Sequence, residues 1–413
     1  MLKSCRSRGL QLSGCASVVA LALTMAACGG STASDTKSVA EPSGPLPTGE
    51  PIKLMVIAQL STTNQTETSE AVSAAKAAAS AINARGGIGG RPLQILGCDD
   101  KTDANAAAAC ARKAASEGAV ATVGQASAMG DTINPVLKQN GLANIGPYPL
   151  SASDFSSPAS FPLCAGSPAV IAGIARKLGT SSAKTVSVAY FGNSAGATSV
   201  PFVTAGLAGT GAKIGPKVPV APGTADLAPV VAAATKGADA AVVSLLADDA
   251  VHFVQVARQS GNTTKLGMPA QDPGLLKKLG SAGDGLYVAT PFAPQNSSVP
   301  GIKQFLSDMK QYAKDIRLDD FSLNAWLGVQ TFQKMAAQQK LTTIDKATVE
   351  AGMGKLVKLD LGGVVAPYTT TAENKMPGLN RIFSPQVQLG TVKDGQIVTD
   401  GKWVNPFLPA SGG

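Results

Sequence analysis

The polar residues with the best spacing for chemistry lie in short loops, each directly after an apolar run. Gln125 and Ser127 follow one run, Asn193 follows another, and Asp248 and Gln271 follow two more. Amides, hydroxyls and carboxylates of this kind can hold a small molecule through hydrogen bonds. We therefore expect these loops to form a binding site.

The rest of the sequence contains few residues or motifs that are typical of catalytic sites. His252 is the only histidine, so a His-based triad would depend on it alone. The chain has no phosphate-binding Gly-Lys-Ser/Thr loop, His-Glu-x-x-His or Cys-x-x-Cys motif. The glycines from Gly86 to Gly90 follow a predicted helix, whereas a dinucleotide loop follows a strand. We expect no catalytic residue, metal or cofactor, although an enzyme that uses only carboxylates stays open because paired acids need no fixed spacing.

Length and composition indicate a globular protein with two domains. The chain has 413 residues, of which 44% are apolar and 15% charged. Its formal charge of +8 includes Lys3, Arg6 and Arg8, which lie in a segment that we expect to be removed. Since no cluster of Lys and Arg is interleaved with aromatic residues, nucleic-acid binding is disfavoured.

The N-terminus predicts export. Residues 1–27 begin with basic residues and continue into the apolar run 16–27, which is too short for a permanent membrane span and is typical of a signal peptide. Small residues then precede Cys28 directly, as in a bacterial lipobox. We expect Cys28 to be lipidated and to hold the protein on the outer face of the cytoplasmic membrane. Ordinary cleavage beside an incidental cysteine is the alternative. Residues 28–51 predict a flexible linker.

Export would permit disulfides. Cys98 ends a predicted strand, and Cys110 lies about two turns into the next predicted helix, where it can come within bridging distance. A Cys98–Cys110 disulfide is our prediction, and two separately buried thiols are the alternative. Cys164 is then left unpaired.

From residue 52 onward, short apolar runs alternate with helical patterns, which predicts parallel sheets covered by helices. Strands are expected at about 52–58, 92–98, 120–124, 142–146, 185–191, 212–220, 240–246, 265–269 and 285–291. Helices are expected at about 69–84, 103–116, 168–179, 198–208, 226–236, 248–260, 299–314, 320–339 and 345–356. Near the C-terminus, Asp394-Gly395 predicts a hairpin turn and Asp400-Gly401 a second turn. Because the pattern restarts after about residue 165, we predict an α/β fold of two Rossmann-like lobes.

The stretch from Ile82 to Leu93 (Ile-Asn-Ala-Arg-Gly-Gly-Ile-Gly-Gly-Arg-Pro-Leu) is followed by Asp99-Asp100, and Val392-Lys-Asp-Gly395 lies near the end of the chain. With the strand at 52–58, these motifs resemble the branched-chain amino-acid type of periplasmic-binding-protein family. The resemblance implies two lobes with parallel sheets joined by a three-segment hinge. It places lobe 1 at 52–165 plus 292–364 and lobe 2 at 166–291 plus 365–410. It also implies a monomer that delivers a small molecule to an ABC transporter permease.

The resemblance implies that ligand binds in a cleft between the lobes, at the carboxyl ends of the strands. Relatives bind an amino-acid carboxylate with the loop that here carries Ser127 and with the loop after the fourth strand. An acid near residue 270 holds the ammonium. In this chain the fourth-strand loop has Tyr148 and Leu150, and the position of the acid is Ala270. An ordinary α-amino acid is therefore disfavoured, and neutral polar solutes or small carboxylates fit better.

The aromatic positions of the second lobe's loops are also changed, to Ala195 and Leu246. The predicted ligand-binding set is Gln125, Ala126, Ser127, Tyr148, Leu150, Asn193, Ala195, Leu246, Asp248 and Gln271.

Structural roles for some of these residues stay open. Ser127 could cap the following helix, Tyr148 could pack against a turn, and Asp248 could start its helix. A surface lipoprotein that senses a ligand or mediates adhesion, without transport, is the alternative function.

Overall fold

The computed structural model describes residues 39–40, 46–61, 68, 70–270 and 272–410. The predicted signal peptide, Cys28, most of the predicted linker and Gln271 lie outside these residues. Asp35–Gly413 forms one compact unit.

Twelve strands and thirteen α-helices are present in the described part of the chain. The strands are β1 Ile52–Ala58, β2 Leu93–Asp99, β3 Ala121–Val123, β4 Ala143–Ile145, β5 Ser160–Phe161, β6 Thr185–Phe191, β7 Lys213–Val220, β8 Ala240–Ser244, β9 Lys265–Gly267, β10 Tyr287–Thr290, β11 Val387–Lys393 and β12 Gln396–Val404. The helices are α1 Glu70–Ala84, α2 Ala104–Ser116, α3 Gly130–Gln139, α4 Ala152–Ser156, α5 Gly166–Thr180, α6 Ser194–Ala197, α7 Ser199–Leu207, α8 Ala228–Thr235, α9 Ala247–Gln259, α10 Pro273–Leu279, α11 Pro300–Tyr312, α12 Asp320–Gln338 and α13 Lys346–Met353.

The strands form two separate sheets. The first has the order β2-β1-β3-β4-β5, with all strands parallel. The second has the order β12-β11-β10-β9-β8-β6-β7, in which β6 to β10 are parallel and the β11–β12 hairpin is antiparallel. Helices flank both sheets, so the predicted α/β fold of two lobes is confirmed.

Each lobe has its own apolar core, and the chain passes between them three times. The main core of the first lobe draws on residues 52–164 and 292–368. The cores of the second lobe draw on residues 165–289 and 382–392. We call the segment 290–296, which leads from β10 back towards α11, the second crossing. The two lobes are thus connected by three passages of the chain.

The glycine motif has the structural role that the sequence indicates. Gly86, Gly87, Gly89 and Gly90 all have positive φ, between 59° and 96°. The Asn83 side chain fixes the turn, because its amide donates to Leu93 O at 2.9 Å and its Oδ1 accepts from Leu93 N at 2.7 Å. This stretch therefore closes α1 and starts β2.

The structure joins Cys98 of β2 and Cys110 of α2 in a disulfide, with Cα atoms 5.6 Å apart. Cys164 is a free thiol at the end of the first lobe. Its complete burial raises the pKa of the thiol to about 12, so it stays neutral and packs as an apolar side chain.

One predicted turn is wrong. Asp394-Gly395 does form the hairpin turn, with φ of 50° and 69°, but β12 runs straight through Asp400 and Gly401. Gln388 pairs with Trp403 and Gly390 with Thr399, so three residues of β12 lie opposite one of β11. Gly401, at φ 74°, supplies the positive φ of a bulge. An Asp-Gly dipeptide is compatible with both a hairpin turn and a bulge, and the pairing of β12 with β11 decides which of the two forms.

Helix α12 approaches the first sheet more closely than ordinary side chains allow. A Cβ on Gly328 would lie 2.7 Å from Gly124 N, and one on Gly124 would lie 2.4 Å from Ala325 Cα. Gly124 also has φ of 57°. The two glycines thus permit backbone contact between α12 and the end of β3.

Gly328→Ala is expected to lower the free energy of unfolding by about 1 to 3 kcal/mol, because the added methyl must push α12 away from the sheet. Gly354→Ala is the matched control, since its Cβ would meet nothing closer than 3.7 Å and its φ is −71°. We expect that change to be neutral or slightly stabilising. Urea unfolding of both variants measures the difference. Equal stability of the two would show that the close approach is not a constraint.

Candidate functional site

The predicted ligand residue Gln125 belongs to a buried polar network below the strand ends of the first lobe. Its Oε1 accepts from Asn144 Nδ2 at 2.8 Å, and its Nε2 donates to Asp154 Oδ1 at 3.3 Å. Asn134 joins both, donating to Asp154 at 2.9 Å and accepting from Asn144 at 3.0 Å. Gln125 is fully buried, and both ends of its amide make hydrogen bonds inside the protein.

Asp154 is the centre of this network. Its Oδ2 accepts from Leu150 N, Ser151 N and Ser151 Oγ at 2.9 to 3.1 Å. Burial raises the pKa of Asp154, while the hydrogen bonds from Asn134, Leu150 and Ser151 act in the opposite direction. The carboxylate thereby holds the loop after β4 in place.

Ser127 is buried and has a local role. Its Oγ accepts from Met129 N at 2.9 Å, forming a turn before α3. The cap residue of α3 is Met129, which makes no side-chain capping bond, so the helix-cap interpretation of Ser127 is wrong. Burial raises the pKa of the neighbouring Asp100, and the Ser127 hydroxyl partly offsets that effect. Ala126 is also buried, and its backbone bonds to Ile57 and Gln59.

Tyr148 packs inside the protein. Its ring lies 4.8 Å from that of Phe321 at the start of α12 and 6.4 Å from that of Phe292 in the second crossing. Only 1% of Tyr148 is exposed, whereas the nearby Leu150 is 39% exposed. The structure therefore places the Tyr148 ring between the fourth-strand loop, the second crossing and α12, where these rings already cover it.

The predicted residues of the second lobe lie near helix starts. Asn193 caps α6 by accepting from Gly196 N at 2.7 Å, and Ala195 is exposed in that helix. Leu246 is 53% exposed and precedes α9. Asp248 lies in the first turn of α9 and bonds to Lys278 at 2.8 Å, so the helix-start interpretation is confirmed. Gln271 lies outside the described residues.

A different set of residues surrounds a cavity of about 180 Å³ between the lobes. It is bounded by the start of α12, the second crossing, α10 and the β11–β12 hairpin, and we call it the interlobe cavity. Its lining comprises Ala270, Pro273, Leu276, Thr290, Phe292, Ala293, Pro294, Gln295, Asn296, Asp320, Leu323, Gly395, Gln396 and Ile397. None of the predicted ligand residues that the structure describes is among them. In the sequence, the feature that could have pointed to this cavity is the acid pair Asp319-Asp320 at the start of a predicted helix.

An ion cluster lies at the same end of α12. Arg317 contacts Asp319 at 2.9 Å, Glu70 at 3.8 Å and Asp272 at 3.9 Å. Asp272 caps α10 in the second lobe, so its pair with Arg317 spans the two lobes. Although desolvation acts to lower it, the pKa of Arg317 is raised by the charges of Asp319, Glu70 and Asp272. Arg317 is thus committed to three protein carboxylates.

One motif in the second lobe escaped the sequence reasoning. Gly192-Asn-Ser-Ala-Gly196 has the Gly-x-Ser-x-Gly spacing of a hydrolase elbow and lies between β6 and α6. The Asn193 side chain caps this turn. Ser194 is exposed and makes no hydrogen bond to His252 in the structure, so the spacing here is that of a capped helix start.

The residues that the structure describes offer neither a metal site nor a membrane span. No group of three or more His, Cys, Asp or Glu side chains is placed to hold a metal ion. None of the helices in this part of the chain combines the length and the hydrophobicity that a bilayer span requires.

Residues 51–395 match the family model described as periplasmic binding protein. The chain belongs to the periplasmic binding protein family. Its two mostly parallel sheets are those of the type I fold, and the resemblance seen in the sequence is confirmed. Members of this family bind solutes, and that coarse role extends to this chain. A comparison with curated proteins found no match.

Solved structures share the fold of this periplasmic binding protein at low identity. A substrate-binding periplasmic protein from Ralstonia solanacearum is 21% identical with a TM-score of 0.69, covering 84% of this chain and 100% of that one. A fatty acid ABC transporter substrate-binding protein from Thermomonospora curvata is 18% identical with a TM-score of 0.68, over 89% and 95%. A leucine binding protein from Thermotoga maritima is 17% identical with a TM-score of 0.64, over 86% and 99%.

Asp154→Asn is expected to lower the free energy of unfolding by roughly 2 to 3 kcal/mol, because either orientation of the new amide turns an NH₂ towards buried donors. Asp131→Asn is the control: Asp131 is exposed and accepts only from Ser153 N at 2.7 Å, a bond that asparagine can keep. Its expected cost is below about 0.5 kcal/mol. Thermal and urea unfolding measure both. Similar costs for the two variants would contradict the structural role of Asp154.

Proposed function

We propose that this protein is an exported lipoprotein, anchored through Cys28, that captures a small molecule between its lobes and delivers it to the permease of an ABC transporter. The observation that carries the proposal is the family match over residues 51–395, on a fold whose two lobes enclose a cavity beside the second crossing. Movement of lobes joined by a few crossings can open and close such a cavity around a ligand.

Two features support export. The disulfide between Cys98 and Cys110 suits an oxidising compartment. The sequence of residues 1–28 has the order of a signal peptide followed by a lipid-accepting cysteine. With the linker 28–51, a lipid on Cys28 would keep the two lobes at the membrane surface, next to a permease, as a monomer.

The fold supports solute binding but is compatible with several classes of ligand. The structural neighbours named for leucine and for a fatty acid show that one fold accepts ligands of different charge. Amino-acid-like molecules, amides and small carboxylates are the classes that the sequence favours. Gln125 and Ser127 make hydrogen bonds inside the protein, which supports the interlobe cavity as the place where the ligand finds its partners.

Lipidation is tested by Cys28→Ala, which is expected to move the protein from the membrane fraction to the soluble exported fraction and to abolish incorporation of labelled fatty acid. Cys15→Ala, within the predicted signal peptide, is the matched control and should leave both unchanged. Retention of label in the Cys28 variant would rule out this anchor.

Transport is tested in the producing organism by deleting the gene and measuring uptake of labelled solutes from these classes and of labelled small amines. We expect at least one uptake activity to fall and to return when the gene is restored. Unchanged uptake across all classes, together with ligand binding by the purified protein, would favour the sensing or adhesion alternative.

A further inference from the structure

The interlobe cavity has an apolar wall and one charged group. Ala270, Pro273, Leu276, Phe292 and Leu323 contribute hydrocarbon surface, and Asp320 is the only ionisable residue among the described residues of the lining. Much of the remaining polar lining is occupied. Gln295 Nε2 donates to Leu318 O at 3.2 Å, and Asn296 Nδ2 donates to Gln396 Oε1 at 3.1 Å. An apolar wall with a few polar groups is the usual make-up of a ligand pocket.

Asp320 is the first residue of α12 and has no cationic partner. Within the described residues, its carboxylate makes no hydrogen bond or ion pair. Arg317, three residues earlier in the chain, contacts Glu70, Asp272 and Asp319 instead. Burial, followed by the negative charges of Asp319 and Asp272, raises the pKa of Asp320 well above its ordinary value. A cation in the cavity would relieve this unfavourable environment.

A second unpartnered group lines the same cavity. Thr290, at the end of β10, is 8% exposed, and its Oγ1 is buried without a hydrogen-bond partner. Buried hydroxyls normally have a partner, because leaving one unpaired costs about 1 to 3 kcal/mol. Thr290 lies in the second lobe and Asp320 in the first, and both residues line the cavity.

The charge distribution selects the sign of the ligand. No Lys or Arg is among the lining residues that the structure describes, so a carboxylate there would find no counter-charge among them and would meet the field of Asp320. A zwitterion would have a partner at only one of its two ends. An ammonium group on an apolar body would pair with the Asp320 carboxylate and pack its hydrocarbon part against the apolar lining.

We propose that the interlobe cavity binds a small primary amine whose ammonium pairs with Asp320 and hydrogen-bonds to Thr290, while its apolar body packs against Leu276, Phe292 and Leu323. This inference rests on the proposed solute-binding function and names its ligand class. The cavity volume of about 180 Å³ equals about six water molecules, which suits compounds such as pentylamine or benzylamine.

The test uses the compact unit Asp35–Gly413 with four probe classes: pentylamine and benzylamine, pentanoate and benzoate, pentanol, and norleucine. Isothermal titration calorimetry and thermal melts measure binding. The amines are expected to bind and to raise the melting temperature. Asp320→Asn keeps the side-chain shape and removes the charge, and it should weaken amine binding at least about tenfold. Thr290→Val should weaken it several-fold.

Glu350→Gln is the control for loss of one negative charge, since Glu350 is exposed on α13 and outside the cavity. Its amine affinity should equal that of the unaltered protein. Circular dichroism verifies that each variant is folded. Unchanged amine affinity in folded Asp320→Asn would overturn the inference.

Other outcomes separate this inference from the proposed function. Binding of pentanoate, benzoate or norleucine without binding of the amines would overturn the amine assignment and leave the solute-binding function intact. Binding of none of the probes would also overturn it, and the uptake measurement, which does not depend on the cavity, would then decide the function.

Discussion

The contact between helix α12 and the first sheet controls the geometry on which the candidate site depends. Gly124 and Gly328 bring the two backbones together without intervening side chains. Asn324 adds a bond from its Nδ2 to Gly146 O at 2.8 Å, at the end of β4. The start of the helix therefore has a defined position, and with it Asp320 beside the cavity and Phe321 against Tyr148. A helix held farther from the sheet would displace all of these groups.

Buried polar groups explain why the loops after β3 and β4 do not present their polar side chains to a ligand. A group in a low-dielectric interior must find a hydrogen-bond partner, and the nearest partners here are other protein groups. Gln125, Asn134, Asn144 and Asp154 satisfy one another, and Asp154 also accepts from three groups of the following loop. The network thereby links the loop after β3 with α3, β4 and α4 in the interior of the first lobe.

The carboxylates near the start of α12 do not all have a cationic partner. Three carboxylates share Arg317, two from the first lobe and one from the second, whereas Asp320 has no share in that cation. Because Arg317 is about 40% exposed, each pair contributes modestly to stability. Its larger consequence is electrostatic: it neutralises part of the cluster and leaves a net negative field beside the cavity. A field of that sign favours entry of a cation and opposes entry of an anion.

Local patterns in the sequence predict most of the secondary-structure elements and the turns that need a positive φ. Periodicity located most of the strands and helices, since a buried parallel strand and an amphipathic helix have different repeats, and Thr185–Phe191 agrees at both ends. It missed the short elements β5, α4, α6 and α10, which hold too few residues to show a repeat. The glycines from Gly86 to Gly90 and the Asp394-Gly395 turn followed from positive φ, which is a local property. Three features depend on contacts between residues that are distant in the chain, and only the folded structure shows them. Gln125 makes its hydrogen bonds within a buried network, and Asp400-Gly401 forms a bulge. Thr290 and Asp320 line one cavity. Such residues lie far apart in the chain, and no local pattern records which of them folding will bring together.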